Sequence, residues 1–204
     1  MSLPNRITLI RFLLAIVLFF FLSQLEPPNR IGYFEGLQPG TPEFSRILNI
    51  AWIFFFLGAL TDALDGYLAR KLELQTDLGR IADPFVDKIY VCGSFVFLSS
   101  APDLAVHIEA WMVVLVIGRE FLITGLRGYV ESKGHTFPAG WWGKIKMFLQ
   151  CSTVVAILFT TANFPESPFC LWTTHIILWA MLVSTFTSAV LYCRQAHRVS
   201  RFSL

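Results

Sequence analysis

Six apolar stretches alternate with short polar connections along the chain. They cover residues 12–25, 47–60, 89–101, 111–126, 145–162 and 171–192. Crossing the hydrocarbon core of a bilayer takes roughly 20 apolar residues per helix, so each stretch with its flanks predicts one membrane-spanning helix. Arg6 and Arg11 precede the first stretch as in a signal peptide, but no small-residue cleavage site follows, and we interpret it as a retained helix. The pattern predicts an all-α fold, an integral membrane bundle of six transmembrane helices forming one domain over residues 1–204.

The composition agrees with a membrane protein. Of the 204 residues, 55% are hydrophobic and 15% are charged, which is more apolar than is usual for a soluble domain of this size. Membrane lipids are therefore the expected surroundings, and we expect no nucleic-acid partner. The four cysteines show no paired spacing, so we infer neither a disulfide framework nor a zinc site.

Basic residues are unevenly distributed between the two sides of the predicted bundle. If the N-terminus is cytoplasmic, all of the 16 Lys and Arg residues lie on the cytoplasmic side except Arg30 and Arg46. Cytoplasmic loops of membrane proteins carry an excess of Lys and Arg. We therefore expect a multi-pass protein of the plasma or inner membrane with both termini in the cytoplasm.

Four aspartates lie at the cytoplasmic junction between the second and third predicted helices. Asp62 and Asp65 are three residues apart at the end of one helix, so they share a helix face. Asp83 and Asp87 are four residues apart at the start of the next helix, with the same consequence. Clustered carboxylates near a membrane repel one another and are costly to desolvate. For a single aspartate a helix cap or salt bridge is the simpler interpretation, but four at this spacing favour a site for Mg²⁺ or Mn²⁺, with two ions suited to phosphoryl chemistry.

The same segment resembles the signature of the CDP-alcohol phosphotransferase family. The signature reads D-x-x-D-G-x-x-A-R, eight residues, then G-x-x-x-D-x-x-x-D, and every fixed position matches residues 62–87. Residues 4–11 are similar to the P-N-x-x-T-x-x-R opening of many members. Residues 118–120 and 143–146 resemble segments of one subfamily, the phosphatidylglycerophosphate synthases, although Met147 stands where a threonine is expected.

The resemblance implies a reaction and a set of site residues. Members transfer a phosphatidyl group from a CDP-activated lipid to an alcohol and release CMP, in a six-helix and commonly dimeric core with a cytoplasm-facing site. The implied metal ligands are Asp62, Asp65 and Asp83, while Asp87 either completes the metal site or acts as general base, the role that we favour. The residues implied to bind the CDP-lipid are Asn5, Thr8, Arg11, Gly66, Ala69, Arg70 and Gly79.

Basic residues outside the signature indicate an acceptor that carries a phosphate. Arg119 lies in the final turns of an apolar helix, where a guanidinium is costly unless it pairs with Glu120 or an anion. Lys144 and Lys146 open the next helix. We expect mainly Arg119 and Lys144, together with Lys146, to bind the phosphate of glycerol 3-phosphate. Contact with anionic lipid headgroups alone would explain Arg127 and Lys146.

Two alternatives to phosphatidylglycerophosphate synthesis stay open. The first is the same CDP-diacylglycerol chemistry on inositol phosphate, inositol or serine, because the signature does not separate acceptors. The second is a cation transporter, which predicts acidic residues near the bilayer midplane on several helices. Here the acidic residues cluster at one interface, which argues against a transport pathway. The resemblance implies an enzyme of phospholipid biosynthesis that uses CDP-diacylglycerol and glycerol 3-phosphate, and a homodimer.

Overall fold

The computed structural model describes residues 3–25, 39–72, 77–134 and 140–201, with side chains over 9–25, 39–61, 84–134 and 140–197. Those ranges contain six α-helices and no strand, which confirms the all-α prediction. The helices are α1 Leu3–Ser23, α2 Pro42–Leu72, α3 Asp77–Ser100, α4 Ala110–Ser132, α5 Trp141–Asn163 and α6 Pro168–Arg201.

The helices pack as a closed ring. Following the contacts around it, α1 packs on α2, α2 on α5, α5 on α6, α6 on α4, α4 on α3, and α3 on α1 again. A further contact joins α3 to α5 across the ring. The three consecutive helices α3, α4 and α5 line one interior space.

Three of these helices have the length and apolar character of membrane spans. Among the described residues the spans are Pro42–Thr61, Trp141–Asn163 and Pro168–His197, and α1 contributes a shorter apolar segment, Leu9–Ser23. Large apolar side chains point outward from α5 and α6, including Phe148 and Trp172, which are 71% and 72% exposed. Outward apolar side chains of this kind suit contact with lipid rather than water. The protein is a helical membrane bundle, and the full set of six spans stays a prediction.

A close contact between α2 and α3 lies about one helical turn from Asp62 and Asp87. Tyr90 of α3 stacks on Phe55 of α2 with ring centroids 5.3 Å apart, and its hydroxyl donates a 2.8 Å hydrogen bond to the carbonyl of Phe54. The ring lies directly against the backbone of Gly58, where a Cβ atom would come within 2.2 Å of the tyrosine oxygen. Only glycine leaves room for this approach, which fixes the two helices that carry the aspartates relative to each other.

We predict that Gly58→Ala destabilises the protein. The added methyl group forces the buried Tyr90 ring to move, and overpacking of a dense interior costs about 1–3 kcal/mol. Gly125→Ala is the matched control, because a Cβ atom there meets nothing within 4 Å. Thermal unfolding of the detergent-solubilised variants should show a lower midpoint for Gly58→Ala alone, and equal midpoints for the two variants would contradict the packing described.

Candidate active site

A cavity of about 260 Å³ lies between α3, α4 and α5. Its lining residues are Pro84, Asp87, Lys88, Val91 and Cys92 of α3, Glu120 and Arg127 of α4, and Lys146, Met147 and Gln150 of α5. On each helix, successive lining positions are one, three or seven residues apart, a spacing that keeps them on one side of the helix. Half of the lining residues are ionisable Asp, Glu, Lys or Arg, a high proportion for the interior of a membrane bundle, where such groups mark functional sites.

Asp87, which lines this cavity, forms an ion pair with Arg11 of α1. Its carboxylate accepts a hydrogen bond from the guanidinium of Arg11. The Arg11 side chain is only 5% exposed, whereas that of Asp87 is 32% exposed. A buried guanidinium needs an anionic partner, so the pair both compensates Arg11 and orients the carboxylate towards the cavity.

The pairing itself was not predicted from the sequence. Arg11 and Asp87 lie in separate segments of the family resemblance, and the interaction spans 76 residues. The signal available in the sequence was their opposite charge near the cytoplasmic ends of two predicted helices. That signal cannot show which helices are neighbours.

Glu120 holds the basic side chain of Lys146 at the cavity wall. The ammonium of Lys146 donates to the Glu120 carboxylate, and the Arg119 guanidinium donates to the same oxygen at 3.2 Å. Both cationic side chains are less than a tenth exposed. Because Glu120 and Lys146 both line the cavity, their pairing holds an ammonium group at its surface, and phosphate binding by Lys146 stays a prediction.

Arg119 and Lys144 are not among the residues that line the cavity. The Arg119 Nε donates to Ser188 Oγ at 3.1 Å, and its guanidinium lies 5.6 Å from the centre of the Tyr192 ring, so the side chain is directed to α6. Lys144 is exposed, with its ammonium 5.1 Å from the centre of the Trp141 ring. The residues expected to lead phosphate binding are therefore not among those that line the cavity.

Arg127 lines the cavity, although the sequence gave no reason to prefer it as a phosphate-binding residue. It lines the cavity from α4, two helical turns after Glu120. Its Nε is buried and has no hydrogen-bond partner in the part of the chain whose side chains are described. The seven-residue spacing of Glu120 and Arg127 predicts a shared helix face, but a shared face alone does not show that the two side chains enclose a cavity.

The remaining predicted site residues are placed only by their helices. Asp62, Asp65, Gly66, Ala69 and Arg70 belong to α2, Gly79 and Asp83 to α3, and Asn5 and Thr8 to α1. For all nine residues the structure describes only the backbone helix. Within the described set, which contains Asp87 alone of the four aspartates, there is no group of three or more metal-ligating side chains.

Helix register relates the aspartates to the cavity. Asp62 follows Gly58 by four residues on α2, and Asp87 precedes Tyr90 by three residues on α3. Gly58 and Tyr90 are in contact, and one helical turn is 3.6 residues. In consecutive helices that run in opposite directions, both aspartates therefore lie about one turn from the same contact, towards the connection between α2 and α3.

Comparison with known proteins identifies a family and several relatives. The sequence profile of the CDP-alcohol phosphatidyltransferase family matches residues 1–190. A CDP-diacylglycerol–glycerol-3-phosphate 3-phosphatidyltransferase of Bacillus subtilis is 36% identical over 84% of this chain and 86% of its own length. Proteins with the same name from Pseudomonas fluorescens and Mycoplasma pneumoniae are 32% and 28% identical, over 89% and 81% of this chain and 87% and 70% of their own lengths.

Proposed function

Because this chain belongs to the CDP-alcohol phosphatidyltransferase family, we propose that it transfers the phosphatidyl group of CDP-diacylglycerol to glycerol 3-phosphate. The primary hydroxyl of the acceptor attacks the phosphorus that carries diacylglycerol. A new phosphorus–oxygen bond forms, the bond to the CMP oxygen breaks, and the hydroxyl proton passes to a base. The products are phosphatidylglycerophosphate and CMP. The observation that carries the proposal is one cavity lined by both a signature aspartate and basic side chains.

The four signature aspartates suit a divalent cation. Enzymes of this family depend on a divalent metal ion. The donor set fits that requirement, since four carboxylates provide the hard oxygen ligands that Mg²⁺ and Mn²⁺ prefer. We propose that Asp62, Asp65 and Asp83 hold two such ions. When bound, the ions stabilise negative charge on the phosphate oxygens of the transferring group.

We propose that Asp87 takes up the proton of the acceptor hydroxyl. Its carboxylate lines the cavity and is held in orientation by Arg11. A general base needs to lie within hydrogen-bond reach of the hydroxyl from which it takes the proton. We assign Asp87 this role, with metal ligation as the alternative, and Arg11 the role of a positioning residue that also lies beside the CDP-lipid.

The basic side of the cavity suits the phosphate of the acceptor. Lys146 and Arg127 both line it, and the Arg127 Nε has a free donor within the described structure. Hydrogen bonds from cationic donors to phosphate are short and strong. We propose that these two residues bind the phosphate. Arg119, which also contacts α6, hydrogen-bonds Glu120 and holds its carboxylate in position.

The CDP-lipid is proposed to bind at the adjoining ends of α1, α2 and α3. Gly66 and Gly79 leave space for the nucleotide because they carry no side chain, and Arg70 neutralises its diphosphate. Asn5, Thr8 and Ala69 belong to the same helix ends. This part of the site is proposed from the family resemblance and from helix positions.

We further propose a plasma or inner membrane location with both termini and the active site in the cytoplasm, and a homodimer of single-domain chains. The support for the orientation is the distribution of Lys and Arg. In a background without native cysteines, a Cys at Glu166 should react with an impermeant maleimide added to intact cells. A Cys at Lys133, also exposed, should react only after the membrane is permeabilised. The reverse pattern would contradict the orientation.

The function is tested by release of CMP from the purified protein. CMP should appear only when CDP-diacylglycerol, glycerol 3-phosphate and a divalent cation are all present. A transporter of cations, the alternative from another functional class, would release none. CMP release in the absence of any alcohol would identify a hydrolase instead of a transferase.

A further inference from the structure

Gln150 is a buried amide with an unused donor. The residue is 1% exposed, and its Nε2 has no hydrogen-bond partner in the part of the molecule whose side chains are described. It lines the cavity that holds Asp87, Arg127 and Lys146. A buried donor without a partner costs free energy of folding, so such groups in native proteins require a reason.

The other buried polar side chains of α5 differ from Gln150 in this respect. Lys146 pairs with Glu120, and Thr153 donates to the carbonyl of Leu149 at 2.7 Å. Thr160 and Thr161 also have partners, the Thr174 hydroxyl and the Ile157 carbonyl respectively. Among these buried polar side chains of α5, Gln150 alone has an unmet donor within the described structure, and it lines the cavity, which indicates that its partner is a ligand.

The position of Gln150 indicates which group of the ligand it contacts. It follows Lys146 by four residues, one turn of α5 further along the helix, or about 6 Å at the usual rise per residue. Lys146 and Arg127 carry the charge that a phosphate requires. A neutral carboxamide both donates and accepts, as a hydroxyl does, so it matches an alcohol group better than it matches an anion.

We propose that Gln150 hydrogen-bonds the secondary hydroxyl of the acceptor and so selects a phosphorylated polyol over a simpler phosphorylated alcohol. The inference rests on the proposed function, and it assigns a specificity role to a residue that takes no part in bond making. The secondary hydroxyl is the one group of glycerol 3-phosphate that neither reacts nor carries charge. Sites that hydrogen-bond a substrate hydroxyl discriminate against an analogue that lacks it, because the site's polar group is then left unpaired.

The test compares glycerol 3-phosphate with 3-hydroxypropyl phosphate, which has the same phosphate and primary hydroxyl but no secondary hydroxyl. In the wild-type protein kcat/KM should favour glycerol 3-phosphate by about tenfold or more, the ratio expected from one satisfied hydrogen bond. Gln150→Met keeps the length of the side chain and removes the amide, so the ratio should fall close to one. Thr153→Val is the control for a polar-to-apolar change in the same helix outside the cavity lining, and it should keep the wild-type ratio.

The outcomes separate this inference from the function on which it rests. A wild-type protein that uses neither acceptor overturns the proposed function. A wild-type protein that uses both equally well overturns the role of Gln150, even if Gln150→Met does not fold. A Gln150→Met variant that keeps the wild-type ratio, or that raises the KM of both acceptors equally, also overturns it, because that residue would then contact the phosphate or only support the helix packing.

Discussion

Replacing Asp62, Asp65 or Asp83 by asparagine is expected to lower kcat by about a thousandfold, since loss of about 4 kcal/mol of charge stabilisation in the transition state gives that factor. Asparagine keeps the size of the side chain and removes its charge. The fold should persist, because helix packing is carried by contacts such as the one between Gly58 and Tyr90. Chelation with EDTA should abolish turnover of the unmodified protein, and added Mg²⁺ should restore it.

The control for these variants is Asp103→Asn. Asp103 is exposed between α3 and α4, so the same chemical change there should leave kcat within about twofold of the wild-type value, the range expected for surface substitutions. Circular dichroism and size-exclusion chromatography would confirm that all variants are folded. Full activity of the three signature variants, or turnover that survives EDTA, would refute the metal assignment.

Removing the charge of Lys146 or Arg127 is expected to raise the KM for glycerol 3-phosphate by about 10- to 100-fold, because a hydrogen bond to a charged group contributes about 1.5–3 kcal/mol. The variants are Lys146→Met and Arg127→Met. The KM for CDP-diacylglycerol should change much less, since the proposed lipid site lies at the ends of α1, α2 and α3. Steady-state kinetics with each substrate varied in turn measure both constants.

Lys144→Met supplies the matched comparison for Lys146→Met. The two lysines lie two residues apart on α5, but Lys144 is exposed beside Trp141 and Lys146 is buried at the cavity wall. The geometry predicts a small effect at Lys144. A larger rise in KM for Lys144→Met than for Lys146→Met would instead support the phosphate site predicted from the sequence and count against the cavity.

The hydrophobic pattern predicted six helices, and the residues that the structure describes form six. The first and last residues of the helices were harder to predict. An apolar stretch marks the part of a helix that contacts lipid, and the helix can continue beyond it. The second apolar stretch covers residues 47–60, whereas α2 is Pro42–Leu72. Asp62 and Asp65 lie on this helix, as predicted, but the helix continues beyond them to Leu72. Backbone hydrogen bonds continue the helix past the apolar residues, so the polar signature is helical without any apolar periodicity to reveal it.

The basic residues show what a single sequence leaves undetermined. Arg119 was expected to be expensive in an apolar helix unless it paired with Glu120 or an anion, and the pairing with Glu120 is present. Its other partners, Ser188 and Tyr192, lie on α6. Which side of α4 faces α6 and which faces α5 depends on the packing of the ring. Charge and spacing alone therefore could not separate Arg119, which is turned to α6, from Arg127, which lines the cavity.

The most direct measurement of the central claim is a competition among glycerol 3-phosphate, inositol phosphate, inositol and serine in one reaction with CDP-diacylglycerol. Mass spectrometry identifies the lipid products, and CMP is quantified in parallel. We predict phosphatidylglycerophosphate as the main product, formed in equal amount to CMP, because Lys146 and Arg127 provide a phosphate site beside the proposed base Asp87. A main product made from inositol or serine would contradict the acceptor site proposed for this cavity.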